Sequence, residues 1–280
     1  MRFQVSNMQT IPITEREFTL FQKLIYDETG ISLSEKKINL VRTRLHKRLK
    51  SLNLTSFTAY YEYLYNPQNH KEFFQLINAI STNVTSFFRE EAQWEFLDNY
   101  LKKLEQSGTP KKLRIWSSAS STGQEPYSIA IALNEFLNTP QAWNLKILAT
   151  DIDTNVLSVA QQGEYSQKDI GAMPKHLLNP NFIKNKQGTH FIVKDHLKKM
   201  ILFRSFNLTR GNYEMFKRPF DIIFCRNVTI YFDAPTKLTL FENFHRLLKP
   251  GGLLFIGHSE SLTRQTNLFK MIQPSIYERI

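Results

Sequence analysis

Two stretches decide the fold: Arg114-Ile115-Trp116-Ser117-Ser118-Ala119-Ser120-Ser121-Thr122-Gly123-Gln124-Glu125-Pro126, followed by Leu145-Lys146-Ile147-Leu148-Ala149-Thr150-Asp151. The first predicts a strand, a loop of small residues and a helix start. The second predicts a strand that ends in an acid. These elements in this order are typical of a nucleoside-cofactor site. Small residues let a ligand approach the backbone closely, and the carboxylate of Asp151 can hold two ribose hydroxyls.

The number of glycines in the loop indicates which cofactor binds there. Gly123 is its one glycine, whereas dinucleotide sites use the set G-x-G-x-x-G to cradle a pyrophosphate. The pattern therefore indicates S-adenosylmethionine, which has no pyrophosphate. The alternative for Asp151 is that it caps the next helix, although Asp153 or Thr154 can serve as that cap instead.

The remaining sequence predicts an all-helical domain followed by an α/β domain. Residues 14 to about 105 read as helices only, beginning with a capping box at Thr14 to Glu17. From Leu113 onward, strand-like runs alternate with helical runs, which predicts a doubly wound parallel sheet. The strand-like runs are 113–117, 145–150, 200–206, 220–225 and 253–257, and the helical runs are 126–137, 154–161 and 236–248. We expect the domains to cover residues 1–90 and 91–280.

Three shorter segments complete the predicted organisation. Residues 164–199 are too many for a simple connection and contain a predicted strand at 190–194, so we expect a small inserted hairpin or subdomain. The stretch 249–252 predicts a turn, and residues 276–278 predict an edge strand. Ser34 is the predicted cap of the second helix.

Composition limits the environment and the partners. Cys225 is the single cysteine of the 280 residues, so no disulfide can form within the chain. No apolar run approaches the roughly 20 residues of a membrane span, and residues 1–13 lack a signal-peptide core, so we expect a cytoplasmic protein. The seven histidines show no metal-ligand spacing. A net charge of +11 indicates an acidic partner, which nucleic acid, an anionic membrane and an acidic protein satisfy equally.

Five motifs in order resemble one family, the chemotaxis receptor glutamate methyltransferases (the CheR family). They are Asn83-Val84-Thr85-Ser86-Phe87-Phe88-Arg89-Glu90, Ser121-Thr122-Gly123-Gln124-Glu125-Pro126-Tyr127-Ser128, Ala149-Thr150-Asp151-Ile152-Asp153, Phe224-Cys225-Arg226-Asn227-Val228-Thr229-Ile230-Tyr231-Phe232 and Leu248-Lys249-Pro250-Gly251-Gly252. The resemblance covers about residues 14–280. It departs at Gln124, where the family usually has an acid, but Glu125 is retained.

The resemblance implies a fold and an activity. The fold is a Rossmann-like class I methyltransferase domain with an inserted small antiparallel β-subdomain, preceded by an all-α N-terminal domain. The activity is methyl transfer from S-adenosylmethionine to glutamate carboxylates of methyl-accepting chemotaxis receptors, with S-adenosylhomocysteine as product. The expected partner is the cytoplasmic helical domain of such a receptor, with no nucleic acid, only indirect membrane contact and a monomeric enzyme.

The resemblance also implies roles for individual residues. Tyr231 faces the reacting methyl group and orients the acceptor carboxylate, and its alternative is a partly buried aromatic. Glu125 meets the ammonium group of the cofactor, although an acid is favoured in a first helical turn in any case. Arg89 lies near the cofactor's carboxylate. The other residues expected to bind cofactor are Asn83, Thr85, Asp151, Asn207, Leu208, Arg226 and Asn227.

The second helix is strongly basic. Its cations are Lys36, Lys37, Arg42, Arg44, Lys47, Arg48 and Lys50, beside a single acid, Glu35. Lys37, Arg44 and Arg48 form a strip next to an apolar stripe, and the resemblance implies that this helix, with Lys37, Arg44, Lys47 and Arg48, docks on the acidic receptor. The alternative is a solvated face, the usual meaning of a charge run.

Two other functions are alternatives to receptor methylation. A nucleic-acid methyltransferase is compatible with the charge, but Cys225-Arg226-Asn227-Val228 is unlike the Asn-Pro-Pro-Tyr type of motif that suits base amino groups. Retention of Tyr231 and Arg226 argues against a non-catalytic S-adenosylmethionine-binding regulator. Cys225 lies in an apolar strand, where thiols usually pack. The sequence leaves open whether the inserted segment binds a receptor tail peptide as an added strand.

Overall fold

A computed structural model describes residues 11–108, 110–171, 173–262 and 267–280. Residues 1–10, most of the segment found to lack a signal-peptide core, lie outside the described residues. The chain divides into two compact units at the Thr82–Asn83 bond. This division falls before the boundary expected after residue 90, because the segment from Asn83 is tied to the second unit: Ser121 Oγ donates to the Asn83 carbonyl and Phe87 packs against Tyr165.

The first unit is helical throughout its described part. Its helices are α1 (Glu15–Thr29), α2 (Ile38–Ser51), α3 (Phe57–Tyr65) and α4 (His70–Ile80). The predicted capping box forms at Thr14 and Glu17, and Gly30 ends α1 at a φ of 69°. The predicted apolar stripe of α2 is the core of the unit, with Val41, Leu45 and Leu49 fully buried. Ser34 is a correction: it precedes a 3-10 turn, and its side chain makes no capping hydrogen bond.

The second unit contains seven helices and ten strands among its described residues. The helices are α5 (Glu91–Gln106), α6 (Gln124–Phe136), α7 (Thr154–Gln162), α8 (Gln167–Ile170), α9 (Lys175–Asn181), α10 (Asp195–Lys198) and α11 (Ala234–Leu247). The strands are β1 (Lys112–Ser117), β2 (Asn144–Asp151), β3 (Glu164–Ser166), β4 (Phe182–Lys184), β5 (His190–Val193), β6 (Ile201–Ser205), β7 (Phe220–Cys225), β8 (Leu248–Ile256), β9 (Phe269–Gln273) and β10 (Ile276–Arg279).

Seven of these strands form the main sheet in the order β6-β2-β1-β7-β8-β10-β9. The five strands from β6 to β8 are parallel, and β10 runs antiparallel to both of its neighbours. The strand order reverses at β1, which pairs with β2 on one side and β7 on the other. In such sheets ligands bind beyond the carboxyl ends of the strands at this reversal. The predicted Rossmann-like class is confirmed.

The inserted segment forms its own small antiparallel sheet. Its strand order is β3-β5-β4, and the predicted strand at 190–194 corresponds to β5. The turn between β4 and β5 uses Gly188, whose φ is 72°. This confirms the predicted inserted β-subdomain.

One turn prediction and one strand prediction near the end of the chain need correction. The residues expected to form a turn at 249–252 belong to β8, where Gly251 adopts a φ of 72° and the register with β7 shifts between Phe220 and Ile222. The segment 276–278 is not at the edge, because β9 pairs outside it. The sequence does not predict β9, because only Phe269 of its five residues is buried and the strand therefore lacks an alternating apolar pattern.

No helix among the described residues is long and apolar enough to cross a membrane.

Candidate cofactor site

Asp151 ends β2 with its carboxylate turned into the small-residue loop. One oxygen accepts the Ser121 N–H at 2.8 Å, and the other accepts the Asp153 N–H at 2.9 Å. Ser121 adopts a φ of 47°, which brings its N–H to the carboxylate. Asp151 does not cap the next helix, because Asp153 accepts the N–H groups of Asn155 and Val156 at the start of α7.

The environment of Asp151 disfavours its charge. Burial raises the pKa of Asp151 from an ordinary 3.8 to about 6, against the opposing effect of the backbone N–H groups of Asp153 and Ser121. A carboxylate has about four lone-pair sites, more than these backbone donors occupy, so it can accept further hydrogen bonds. Further hydroxyl donors would therefore stabilise the ionised form.

The loop after β1 is anchored so that α6 begins close to the sheet. Ser118 donates from its N–H and its hydroxyl to the Phe224 carbonyl of β7. Gly123 adopts a φ of 96°, and a Cβ there would lie 2.7 Å from the Tyr165 hydroxyl oxygen and 2.8 Å from the Ala160 Cβ. Only glycine allows this approach.

Arg226 lies between two acids just past the end of β7. Its side chain is 2% exposed, and its terminal nitrogens lie 3.2 Å from Glu125 and 3.2 Å from Glu90. Glu125 also accepts the Ser117 hydroxyl at 2.7 Å. Burial raises the pKa of Glu125, with Arg226 and Ser117 opposing it. For Glu90, burial also acts upward, but the charge of Arg226 and the His258 N–H leave the pKa lowered.

The segment 83–90 is tied to the second unit by its side chains. Asn83 donates to the carboxylate of Asp153, two residues past the end of β2, at 2.8 Å. Arg89 donates to the Val84 carbonyl at 3.1 Å within the segment. Thr85 is half-buried. This arrangement connects Asn83 to Asp153 and to Ser121, both of which also hydrogen-bond Asp151, and it gives Arg89 a local partner.

Asn207 and Leu208 follow β6 and form a tight turn. The Asn207 side-chain oxygen accepts the N–H and the hydroxyl of Thr209 at 2.9 and 2.8 Å. The Leu208 carbonyl accepts the Tyr213 hydroxyl at 2.6 Å, and the Leu208 side chain is buried. These contacts give both residues a structural role in addition to their predicted contact with the cofactor.

The loop that links β7 to α11 carries the remaining predicted residues. Asn227 adopts a φ of 58° and donates from its side chain to Glu90 at 3.4 Å. Tyr231 is half-buried at the end of a 3-10 turn, Thr229–Tyr231. Cys225 is fully buried, and burial raises the pKa of its thiol well above its usual range, which fits packing rather than nucleophilic catalysis.

Two acids of this site were not singled out by the sequence. Glu90 holds Arg226 and Asn227, as described above. Glu260 is buried and accepts hydrogen bonds from backbone N–H groups of the same loop. No sequence signal marks such a role, because backbone donors are common to all residue types.

The residues present fit S-adenosylmethionine. Two carboxylates, Glu90 and Glu125, share the single cation of Arg226, so the cluster carries excess negative charge once both are ionised. A further positive group would relieve the raised pKa of Glu125. S-adenosylmethionine offers an ammonium and a sulfonium, and its ribose offers two hydroxyls for Asp151. The described residues contain no group of side chains that could hold a metal ion.

The four residues expected to dock a partner lie on or next to α2, in the helical unit. Lys37 and Lys47 are exposed. Arg44 and Arg48 are half-buried and have partners inside the unit: Arg44 donates to the Ser81 carbonyl at 2.7 Å, and Arg48 binds Glu72. In the strip of Lys37, Arg44 and Arg48, the two arginines therefore have structural partners inside the helical unit, because α4 packs against their side of α2. Partner docking by the four residues stays a prediction.

The reversal of strand order at β1 and the acid that ends β2 define the class: a doubly wound α/β domain that binds a nucleoside cofactor. The family follows from comparison with known proteins. The chain matches the models "CheR methyltransferase, SAM binding domain" over residues 83–277 and "CheR methyltransferase, all-alpha domain" over residues 16–81. The chain therefore belongs to the CheR methyltransferase family, as its motifs indicate, and its cofactor is S-adenosylmethionine.

Curated relatives support this assignment over almost the full chain. A chemotaxis protein methyltransferase of Borreliella burgdorferi is 39% identical over 274 residues, which is 96% of each chain. Chemotaxis protein methyltransferase 2 of Pseudomonas aeruginosa is 39% identical over 96% of this chain and 95% of that protein. The chemotaxis protein methyltransferase of Escherichia coli is 37% identical over 96% of this chain and 92% of that protein.

Proposed function

We propose that this chain transfers a methyl group from S-adenosylmethionine to glutamate side chains of methyl-accepting chemotaxis receptors, giving glutamate methyl esters. The observation that carries the proposal is the placement of charged groups at the carboxyl ends of three neighbouring strands. Asp151 ends β2, Glu125 accepts a hydrogen bond from Ser117 at the end of β1, and Arg226, which pairs with Glu125, follows β7 and leads to Tyr231. The membership of the chain in a chemotaxis methyltransferase family supports the choice of substrate.

In this proposal the residues bind the cofactor through its charged and hydroxyl groups. Asp151 accepts hydrogen bonds from the ribose hydroxyls, and Glu125 meets the ammonium group. Arg89 pairs with the carboxylate, which a guanidinium can hold in a bidentate manner. Asn83, Thr85, Asn207, Leu208, Arg226 and Asn227 complete the proposed cofactor contacts.

The proposed chemistry needs alignment more than proton transfer. Bound S-adenosylmethionine supplies a methyl group already activated by its sulfonium. A glutamate carboxylate is ionised at neutral pH and is itself the nucleophile, so no strong general base is required. Tyr231 is a neutral donor that can orient one carboxylate oxygen without quenching the charge on the other. Two exposed cations, Lys37 just before α2 and Lys47 on it, can attract an acidic surface. A receptor region that is methylated on glutamates must present such a surface.

A methyl-label experiment tests the substrate directly. The purified chain is incubated with methyl-labelled S-adenosylmethionine and, in parallel, with receptor-bearing membranes, DNA or RNA. We expect label in the receptor that mild base releases as volatile methanol, since carboxyl methyl esters hydrolyse and methylated base amines do not. Label in nucleic acid would identify a nucleic-acid methyltransferase. Cofactor binding without transfer to any of these substrates would favour a regulator.

A further inference from the structure

Glu260 is the most heavily hydrogen-bonded carboxylate around the loop from β7 to α11. One of its oxygens accepts the Thr229 N–H at 2.7 Å, the Thr229 hydroxyl at 2.8 Å and the Ile230 N–H at 3.3 Å. The other accepts the Asn227 N–H at 2.8 Å and the Gly257 N–H at 2.6 Å. The residue is 8% exposed. Burying a carboxylate is costly unless donors surround it, and here five donors do so.

The loop that Glu260 holds has little regular structure of its own. Asn227 takes a left-handed φ of 58°, and the 3-10 turn that follows has only three residues, Thr229–Tyr231. A left-handed φ costs a non-glycine residue some free energy, less for Asn than for most, and surrounding contacts help to fix it in place. The Glu260 carboxylate supplies that fixing from outside the loop, from the segment after β8.

The two ends of this loop are held by different acids. Arg226 at its start is held by Glu90 and Glu125. The stretch from Asn227 to Ile230, which leads to Tyr231, is held through its backbone by Glu260. Loss of the Glu260 contacts therefore releases the Tyr231 end while the ion pairs of Arg226 remain.

Gly257, itself one of the five donors to Glu260, also lies close to Asn227. A Cβ at this position would lie 2.6 Å from the Asn227 side-chain nitrogen and 2.8 Å from a Glu260 oxygen. The φ of Gly257 is not left-handed, so an alanine would strain these contacts rather than its own backbone. Gly257→Ala is therefore a second way to disturb the loop, one that leaves the Glu260 side chain in place.

We propose that Glu260 is a positioning residue that sets the place of the Tyr231 hydroxyl relative to the acceptor carboxylate. The inference rests on the proposed function, because it assigns Tyr231 to the acceptor. It predicts that Glu260 acts mainly on turnover, with a much smaller effect on cofactor affinity through the proposed cofactor contact of Asn227.

The test compares Glu260→Gln, Glu260→Asp and Gly257→Ala with the matched control Glu242→Gln, which changes an exposed acid of α11. Glutamine keeps the length but turns an NH₂ group toward backbone donors. We expect Glu260→Gln to lower kcat for receptor about 10- to 100-fold, the equivalent of a lost hydrogen bond to a charged group. The dissociation constant of S-adenosylhomocysteine, measured by calorimetry, should change much less than kcat, and Glu260→Asp should recover part of kcat. The control should match the wild type.

Two further measurements separate positioning from general destabilisation. Amide exchange at residues 227–231 should speed up in Glu260→Gln and Gly257→Ala, while exchange in β1 and β2 stays protected. In a Tyr231→Phe background, Glu260→Gln should cost much less turnover than it does alone, because both changes remove the same interaction. Folded variants with wild-type kcat, equal losses of cofactor affinity and kcat, or additive effects with Tyr231→Phe would each overturn the inference. A wild-type chain that methylates no receptor glutamate overturns the proposed function instead, and the exchange data then still report whether Glu260 holds the loop.

Discussion

Arg48 of α2 binds Glu72 of α4 through two parallel hydrogen bonds, from Nε at 2.8 Å and from Nη2 at 2.6 Å. Glu72 is buried and also accepts the Tyr60 hydroxyl at 2.9 Å. The pKa of Arg48 is raised, first by its hydrogen bonds to Glu72. Burial and the neighbouring carboxylate raise the pKa of Tyr60 well above its usual range. Arg48, which the sequence places in a basic strip, therefore forms an ion pair that connects α2 to α4 within the helical unit.

This relationship predicts a stability effect for Arg48→Ala. The change leaves a buried carboxylate without its cation, which typically costs 3–5 kcal/mol. The Arg48 side chain is 25% exposed, so water can partly replace it and we expect a loss of about 2 kcal/mol in the free energy of unfolding. Denaturant unfolding of the full chain measures this loss, and amide exchange in α2 and α4 shows whether it arises in the helical unit. Lys47→Ala, on the exposed side of the same helix, is the control and should change stability by less than about 0.5 kcal/mol. Equal stability of the two variants would contradict the internal role.

Local signals in the sequence predicted most of the helices and strands. The capping box at Thr14, the stop at Gly30 and the buried stripe of α2 depend only on residues near in the chain, so their patterns can be read directly. The acid at the end of β2 could be predicted for the same reason. Strand β9 could not, because its exposed residues lack the alternation that marks a strand.

Contacts between distant residues could not be read in this way. Glu72 lies 24 positions from Arg48 and Glu260 lies 31 positions from Thr229. Only packing brings each pair together, and in the second pair the donors include backbone N–H groups that carry no sequence signature. For the same reason, the sequence shows Arg44 and Arg48 as members of a basic strip but does not show their partners inside the helical unit.

Tyr231→Phe should separate acceptor orientation from cofactor binding. Removing the hydroxyl takes away the proposed hydrogen bond to the acceptor carboxylate, so kcat should fall about 10- to 100-fold. The dissociation constant of S-adenosylhomocysteine should remain nearly unchanged. Receptor methylation rates and calorimetry give the two values, with Tyr65→Phe, an exposed tyrosine of the helical unit, as the control. Loss of cofactor affinity in parallel with kcat would make Tyr231 a binding or packing residue instead.

Asp151 should make cofactor binding depend on pH. Its pKa in the folded chain is raised to about 6 by burial, and the ionised form is the better acceptor for ribose hydroxyls. Affinity for S-adenosylmethionine should therefore fall as the pH drops below about 6, and binding near that pH should release protons, which calorimetry in buffers of different ionisation enthalpy detects. The stability of the free chain depends on pH in the opposite direction. Because the pKa of Asp151 is raised in the folded chain, this group contributes its full stabilisation below about pH 4 and loses it as the pH rises through about 6.

The matched variant for this prediction is Asp151→Asn. It should weaken cofactor binding at pH 8 by about 1.5–3 kcal/mol, the range for a hydrogen bond to a charged group. It should also remove most of the pH dependence and the proton release. A pH dependence that persists in a folded Asp151→Asn chain would assign the titration to another group.

The exposed cations next to and on α2 provide the last prediction, which concerns the proposed receptor contact. Lys37 and Lys47 are exposed, and neither belongs to the buried stripe of α2. Lys37→Glu with Lys47→Glu should therefore leave the fold intact while reversing the local charge. If this surface meets an acidic receptor helix, opposite potentials speed the encounter, and salt screens them over about 8 Å at physiological ionic strength. Receptor methylation by the double variant should be strongly reduced at low salt and less so at high salt, with unchanged affinity for S-adenosylmethionine.

The control for this last prediction carries the same charge change elsewhere. Lys103→Glu with Lys270→Glu alters two exposed lysines of the second unit, so it reproduces the shift in net charge without touching α2. A loss confined to the α2 pair supports docking by this helix. An equal loss in both pairs would attribute the effect to net charge alone. Wild-type methylation by the Lys37→Glu, Lys47→Glu variant at low salt would mean that these cations form a solvated face and that the receptor contacts the enzyme elsewhere.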